Sequence, residues 1–258
     1  MGGGVPGQNP QRCLTLAQGG GSTTLTIDNV VIPQGLRSDG RRSGHVNGWG
    51  MMRAELAQYG GITVMIPAAI IIAVWLRYSN PWALRTWVVT VGLTYSIVAL
   101  SKLLFKGWGV AFQHMDIAVL SGHAMNTCLM LIVGLSLIAR QFNPALRWPA
   151  ALTGVLLGGV FSAYCVAPYI HPLNEALAGA VLGMVAALGF LWRIESEQVK
   201  VPPAFIGAGL VALLACALMP KYNAELLLNR VAVSLSGAEQ AHREPDWRQD
   251  GAAHDKAE

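Results

Sequence analysis

Charge is what this chain has least of. Only 12% of its 258 residues are Asp, Glu, Lys or Arg, against 53% hydrophobic, whereas a soluble domain carries about 25% charged residues. So few charges cannot cover a water-facing surface, and the composition points to lipid as the solvent. Cysteine is scarce as well. The four present, Cys13, Cys128, Cys165 and Cys216, show no short Cys-x-x-Cys spacing and three lie inside apolar blocks, which argues against a disulfide framework or a zinc site. The net charge of +4 is divided among loops and tails with no basic run, so nucleic acid is not an expected partner. No secretory signal is expected from residues 1–58, which are glycine-rich and polar and lack the apolar core such a signal needs. Insertion is therefore expected to rely on internal spans.

What the chain does have is apolar blocks of about 17–23 residues, the length that crosses a ~30 Å hydrocarbon layer as helix. Lipid offers no partner to an unpaired backbone group, so the blocks must be helical. They fall at Gly60 to Leu76, Thr86 to Phe105, Ile117 to Ile138, Trp148 to Ala167, Leu173 to Trp192 and Pro203 to Met219. The expected fold is all-α: a polytopic membrane protein with a six-helix transmembrane bundle over residues 48–220. Residues 1–47 read as a glycine-rich, largely disordered tail in which only Thr23 to Ile32 has strand character. Residues 221–258 read as an amphipathic interfacial helix, Glu225 to Leu235, followed by a disordered polar tail. Trp75 and Trp108 are expected to be aromatic anchors at the interface.

Six spans put both termini on one side of the membrane. The loops after the first, third and fifth spans hold Arg77, Arg85, Arg140, Arg147, Arg193 and Lys200, while the opposite loops hold little beyond Lys106 near Lys102. The positive-inside rule makes the first set cytoplasmic. An inner or plasma membrane is expected, with the second set of loops on its extracytoplasmic face.

Ionisable side chains at membrane depth cost ~2.5–3.5 kcal/mol at a helix centre and call for a snorkelling route or a function. His123, His171 and Glu175 have no such route. Glu175 follows His171 by four residues, placing both on one helix face. By span order these groups share one end of the bundle with Lys102, Lys106, Ser121 and Gly122. Phosphoryl transfer to histidine fits this set. Glu175 orients the nucleophile His171, His123 protonates the leaving oxygen, and cations, a hydroxyl and a backbone amide hold the phosphate. No cofactor and no metal are called for; the partners would be membrane lipid and a lipid phosphate substrate.

Leu120-Ser121-Gly122-His123-Ala124-Met125 resembles the Pro-Ser-Gly-His signature of the type 2 phosphatidic acid phosphatases. Tyr164 to Gly179 resembles their third motif, Ser-Arg, five residues, His, three residues, Asp, with His171 and Glu175 at the His and Asp positions. Lys102 stands where the first motif begins. The resemblance covers about Leu56 to Gly183, and it implies a metal-independent phosphatase acting on a phosphorylated or pyrophosphorylated lipid through a phosphohistidine.

The chain departs from that pattern at both motif arginines. Gly109 and Val110 stand where the first motif has Arg-Pro, within a Gly107-Trp108-Gly109 stretch that resembles one branch of the family, as does Glu in place of Asp at 175. Tyr164 and Cys165 stand for the third-motif Ser-Arg, and cysteine cannot supply a guanidinium fork. A descendant that binds or transports phospholipid without turnover is therefore a second reading. A haem or metal protein using His114, His123 and His171 is a third. Each residue also has a structural alternative: histidines bonded across helices, Glu175 as an acid favoured by a helix N-terminus, Ser121 and Gly122 as small packing residues, and Lys102 as a snorkelling side chain. His114 and Asp116 are expected to be solvated, with Asp116 capping the third span, and Cys165 to be a small buried residue.

Overall fold

The computed structural model describes residues 48–167, 169–220, 225–242 and 245. The tail expected over residues 1–47, the strand at Thr23 to Ile32 and the last residues of the C-terminal tail lie outside the described residues. The chain is all-helical among the described residues, apart from one isolated antiparallel bridge between Phe112 and Ile117. In order, the helices are α1 (Gly48–Gln58), α2 (Ile62–Ser79), α3 (Pro81–Trp108), α4 (Gly122–Phe142), α5 (Arg147–Phe161), α6 (Leu173–Arg193), α7 (Pro203–Ala217) and α8 (Glu225–Ser236). A π-helical turn, Ser162–Val166, continues α5.

Local chemistry sets the boundaries. Asn80 and Asn143 each precede a proline, and their side chains accept hydrogen bonds from the first free amides of the next helix, Trp82 and Ala83 in one case and Ala145 in the other. The proline then takes the first helical position, where its missing N–H is no loss. At the far end of α3, Gly109 adopts φ 67° and its amide donates to the Phe105 carbonyl at 2.8 Å, a left-handed C-cap. Ser121 caps α4, its hydroxyl accepting from the Ala124 amide at 3.4 Å. Asp116, expected in that role, instead closes a 3-10 turn over Gln113–Met115 with φ 51°.

Five helical segments are long and apolar enough to span a membrane: α2, α3, α4, the segment Pro144–Val166 and α6. The chain is thus an integral membrane protein by the length and composition of its helices. The sixth expected span, α7, is apolar but has only 15 residues, roughly 22 Å of helix and short of the ~30 Å layer. At 28 residues, α3 is roughly 42 Å long and carries its last turn, with Lys106, beyond that depth.

The bundle is arranged around α4, whose Leu129, Ile132, Val133 and Leu137 are buried. Its neighbours reach it through pairs of glycines spaced four apart. A side chain at Gly154 or Gly158 of α5 would meet the α4 backbone at Ile132 or Cys128, and one at Gly179 or Gly183 of α6 would meet the Ser121 or Met125 carbonyl. Small residues at this spacing let helix backbones approach to dispersion contact, which matters in lipid because apolar burial between helices gains little there. Large apolar side chains accordingly point outward, among them Leu93, Val185 and Val211. Trp75 is not an interface anchor. It is 5% exposed, and its indole N–H donates to the Phe205 carbonyl at 3.0 Å, joining α2 to α7. Trp108, by contrast, is exposed.

The loops carrying the six basic residues gather at one end. There Asn80 donates to Glu197 at 2.5 Å, Arg140 donates to the Glu197 carbonyl at 2.7 Å, and Arg147 pairs with Glu195 at 2.6 Å. These bonds hold the turn between α2 and α3, the turn into α5 and the segment after α6 together at this end.

Two glycine substitutions test the packing. Gly183→Ala should lower thermal stability in detergent by about 1–3 kcal/mol, the usual cost of overpacking. Gly134→Ala, where an added Cβ meets open space within 4 Å, should be neutral or stabilising by up to about 1 kcal/mol. Equal melting shifts for the two would contradict the close approach of α6 to α4.

Candidate functional site

The end opposite the Arg140 and Glu197 cluster is built from four segments. The loop between α3 and α4 is pinned at both sides: the Leu120 amide donates to the Ser101 hydroxyl at 2.9 Å, and the Ser121 amide donates to the Glu175 carbonyl at 3.2 Å. After α5 the π turn widens the helix, and the His171 amide reaches back to the Val166 carbonyl at 3.3 Å. Insertions of this kind are frequent at functional sites. Here the turn delivers His171 just before Pro172, and α6 begins at Leu173.

Glu175, in the first turn of α6, is 2% exposed. One carboxylate oxygen accepts from the Ala118 amide at 3.1 Å, and the other lies 3.0 Å from His171 Nδ1. A carboxylate on Nδ1 favours the tautomer with its proton there and leaves Nε2 with a lone pair. The His171 side chain is largely shielded, at 12% exposure. His123 lies in the first turn of α4, half-buried against the Gly60 and Gly61 turn, where a Cβ added to Gly61 would stand 3.3 Å from its Nε2. It is within electrostatic reach of His171, Lys102 and Glu225.

Lys102 and Lys106 sit one turn apart near the end of α3, and Lys102 is buried at 7% exposure. Glu225, the first residue of α8, bridges them. One of its oxygens pairs with Lys102, and the other is 2.9 Å from Lys106 Nζ. Lys106 also donates to Asn229 at 2.6 Å.

Lys102, Lys106, Ser121, His123, His171 and Glu175 thus lie at one end of the bundle, with His123 in electrostatic reach of both His171 and Lys102 and Gly122 opening α4 beside it. His114 is exposed and stands apart, as does Tyr164 at 59% exposure. Cys165 is half-buried in the π turn, against which α1 packs, with Arg53 within electrostatic reach. Among the described residues no group of three His, Cys, Asp or Glu side chains is placed to hold a metal ion.

No protein-family model and no solved structure matches this chain. A relative is found in Klebsiella pneumoniae. It is described as an uncharacterized 22.5 kDa protein in the cps region and is 32% identical over 135 residues, 52% of this chain. The match spans 65% of that protein's own length.

Sequence reasoning missed Glu225 and Asn229. The helix that carries them was legible as an amphipathic segment, but its docking on α3 was not. Residues 237–242, the described start of the expected tail, return to α3. The His242 amide donates to the Lys106 carbonyl at 3.0 Å, and its ring packs 6.4 Å from that of Phe105.

Burial pushes the Glu225 carboxyl up, but the charges and hydrogen bonds of Lys102 and Lys106 outweigh this and bring it down to about 2. A carboxyl with a depressed folded-state pKa stabilises the docked helix fully above its unfolded value, near 4.5, and that contribution fades as pH falls toward about 2. Hydrogen exchange of α8 amides should therefore be constant from pH 7 to 5 after correction for intrinsic rates, then lose protection below about 4.5. A Glu225→Gln variant should lose this acid step, and an unchanged step in that variant would remove Glu225 as its cause.

Proposed function

We propose that this chain is a membrane-embedded, metal-independent phosphatase that hydrolyses a phosphorylated or pyrophosphorylated lipid through a phosphohistidine. The observation that carries the reading is the bond from His171 Nδ1 to the buried Glu175 carboxylate, with His123 and the Lys102 pair facing the same end of the bundle. In the first step His171 Nε2 attacks phosphorus, the bond from phosphorus to the lipid oxygen breaks, and His123 gives that oxygen its proton. In the second, His123 takes a proton from water, the hydroxyl oxygen bonds to phosphorus, and the bond to His171 breaks to release phosphate. Glu175 keeps the His171 ring oriented and stabilises the charge it acquires on attack. Lys102, Lys106, the Ser121 hydroxyl and the Gly122 amide are the groups assigned to the phosphate oxygens.

Lipid is the proposed substrate because the site stands where spanning helices end, at the depth of headgroups. The resemblance in motif order to the type 2 phosphatidic acid phosphatases supports the same chemistry. By the distribution of basic residues, the site faces the extracytoplasmic side of an inner or plasma membrane.

A descendant that binds or transports phospholipid without turnover is the second reading. It draws on Tyr164 and Cys165 standing where that family carries Ser-Arg. Phosphate release from lipid phosphates in mixed micelles separates the two. In the enzyme reading His171→Ala abolishes release and His123→Ala lowers it about 10²–10⁴-fold; binding of the lipid phosphate without any release supports the descendant. If the missing guanidinium limits the rate, Cys165→Arg should raise release several-fold, and an unchanged rate would show that the clamp is complete without it.

A further inference from the structure

Glu225 stands on the two ammonium groups that the proposed phosphatase would use for phosphate. It belongs to a helix that meets the end of α3 along one stripe. Glu225, Asn229, Ala232 and Ser236 recur at helical spacing and form one stripe. Glu225 meets Lys102 and Lys106, and Asn229 meets Lys106. Ala232 and Ser236 lie over Gly107, where an added Cβ would come within 3.4 Å of the Ala232 carbonyl and 3.3 Å of Ser236 Cβ. Further on, His242 is bonded to the Lys106 carbonyl and stands over Gly109. The Gly107-Trp108-Gly109 stretch thus provides the smooth seat for α8 and the left-handed cap beneath His242.

Charge decides what this arrangement can admit. Among the described residues, two ammonium groups stand against one carboxylate, which leaves one positive charge in excess. A phosphate diester carries one negative charge, so exchanging it for Glu225 gains nothing in charge balance. A phosphate monoester or a terminal diphosphate approaches two negative charges at neutral pH and neutralises both lysines. Glu225 stands at one end of the stripe, so its side chain can leave the lysines while Asn229, Ala232 and the His242 contact hold the rest of α8 on α3.

We infer that Glu225 is a specificity-determining residue: an internal carboxylate that occupies the Lys102 and Lys106 pair and yields only to a dianionic phosphate. This rests on the reading of that pair as the phosphate site, and it narrows the substrate to phosphomonoesters and terminal diphosphates over diesters.

The test uses the full-length protein in detergent and two probes, inorganic phosphate and dimethyl phosphate, with binding followed by calorimetry at pH 7.5. The unmodified protein should bind inorganic phosphate and give no measurable dimethyl phosphate binding. Glu225→Gln should tighten inorganic phosphate at least tenfold and admit dimethyl phosphate. Gly107→Leu keeps Glu225 and both lysines but wedges α8 away, and it should act in the same direction. Adding Lys102→Met to Glu225→Gln should abolish the gain. In the unmodified protein, inorganic phosphate should speed hydrogen exchange in the first turn of α8.

Unchanged or weaker phosphate binding in both Glu225→Gln and Gly107→Leu overturns the inference, as does slower exchange in α8 on adding phosphate. The fate of the phosphatase reading is separable. Tighter phosphate binding in the variants with no lipid phosphate turned over by any form keeps the role of Glu225 and rejects the enzyme. Lipid phosphate turnover that is equal in the unmodified protein and Glu225→Gln, with equal phosphate affinity, does the reverse.

Discussion

The Glu175 carboxylate is a charge buried at one end of an apolar helix bundle, and such a charge persists only if its oxygens are satisfied. One oxygen takes the Ala118 amide and the other faces His171 Nδ1, while the Glu175 carbonyl takes the Ser121 amide. Three segments distant in sequence are thereby fixed by one residue: the loop before α4, the turn after α5 and the start of α6. The positions of Ser121 and His123 at the head of α4 follow from this tie. So does the ring orientation that gives His171 chemical meaning.

Close packing supplies the rigidity behind that tie. Gly179 and Gly183 bring α6 against the Ser121 and Met125 carbonyls, and Gly154 and Gly158 bring α5 against the other side of α4. The Ser121 carbonyl touched by Gly179 belongs to the residue whose amide is held by the Glu175 carbonyl. Packing and hydrogen bonding thus fix the same point, where α4 begins. A larger residue at Gly179 would push apart the two helices that carry His123 and Glu175, so the glycine spacing serves the site as well as the fold.

The lysine pair poses the opposite problem, two positive charges one helical turn apart. Lys102 is buried, and a buried ammonium without a partner costs several kcal/mol. The molecule meets this cost with Glu225, a residue of the C-terminal helix rather than of the bundle. The lysine pair and the carboxylate that bridges it are therefore parts of one chain. In the proposed enzyme, the substrate competes with a carboxylate tethered in place.

Much of this was legible from local pattern. Apolar block length located the helices, because a helix must match the thickness of the lipid it crosses. The helix ends were less legible: the second span was expected from Thr86, whereas Asn80 caps a helix that starts at Pro81. The pairing of His171 with Glu175 was expected from a shared helix face, but His171 stands in the turn ahead of α6, and it is that turn which carries its ring to the carboxylate. Tertiary structure alone decided the rest. No periodicity links Lys102 to Glu225, 123 positions apart, and their contact exists because a stripe on α8 fits the glycine at 107. Trp75 carries the composition of an interface anchor but is buried because α7 lies over it. Sequence by itself determined which segments are helices and which residues are too polar for lipid. Only the packing of those helices decided which charges meet, because pairing depends on distance in space and the chain encodes order alone.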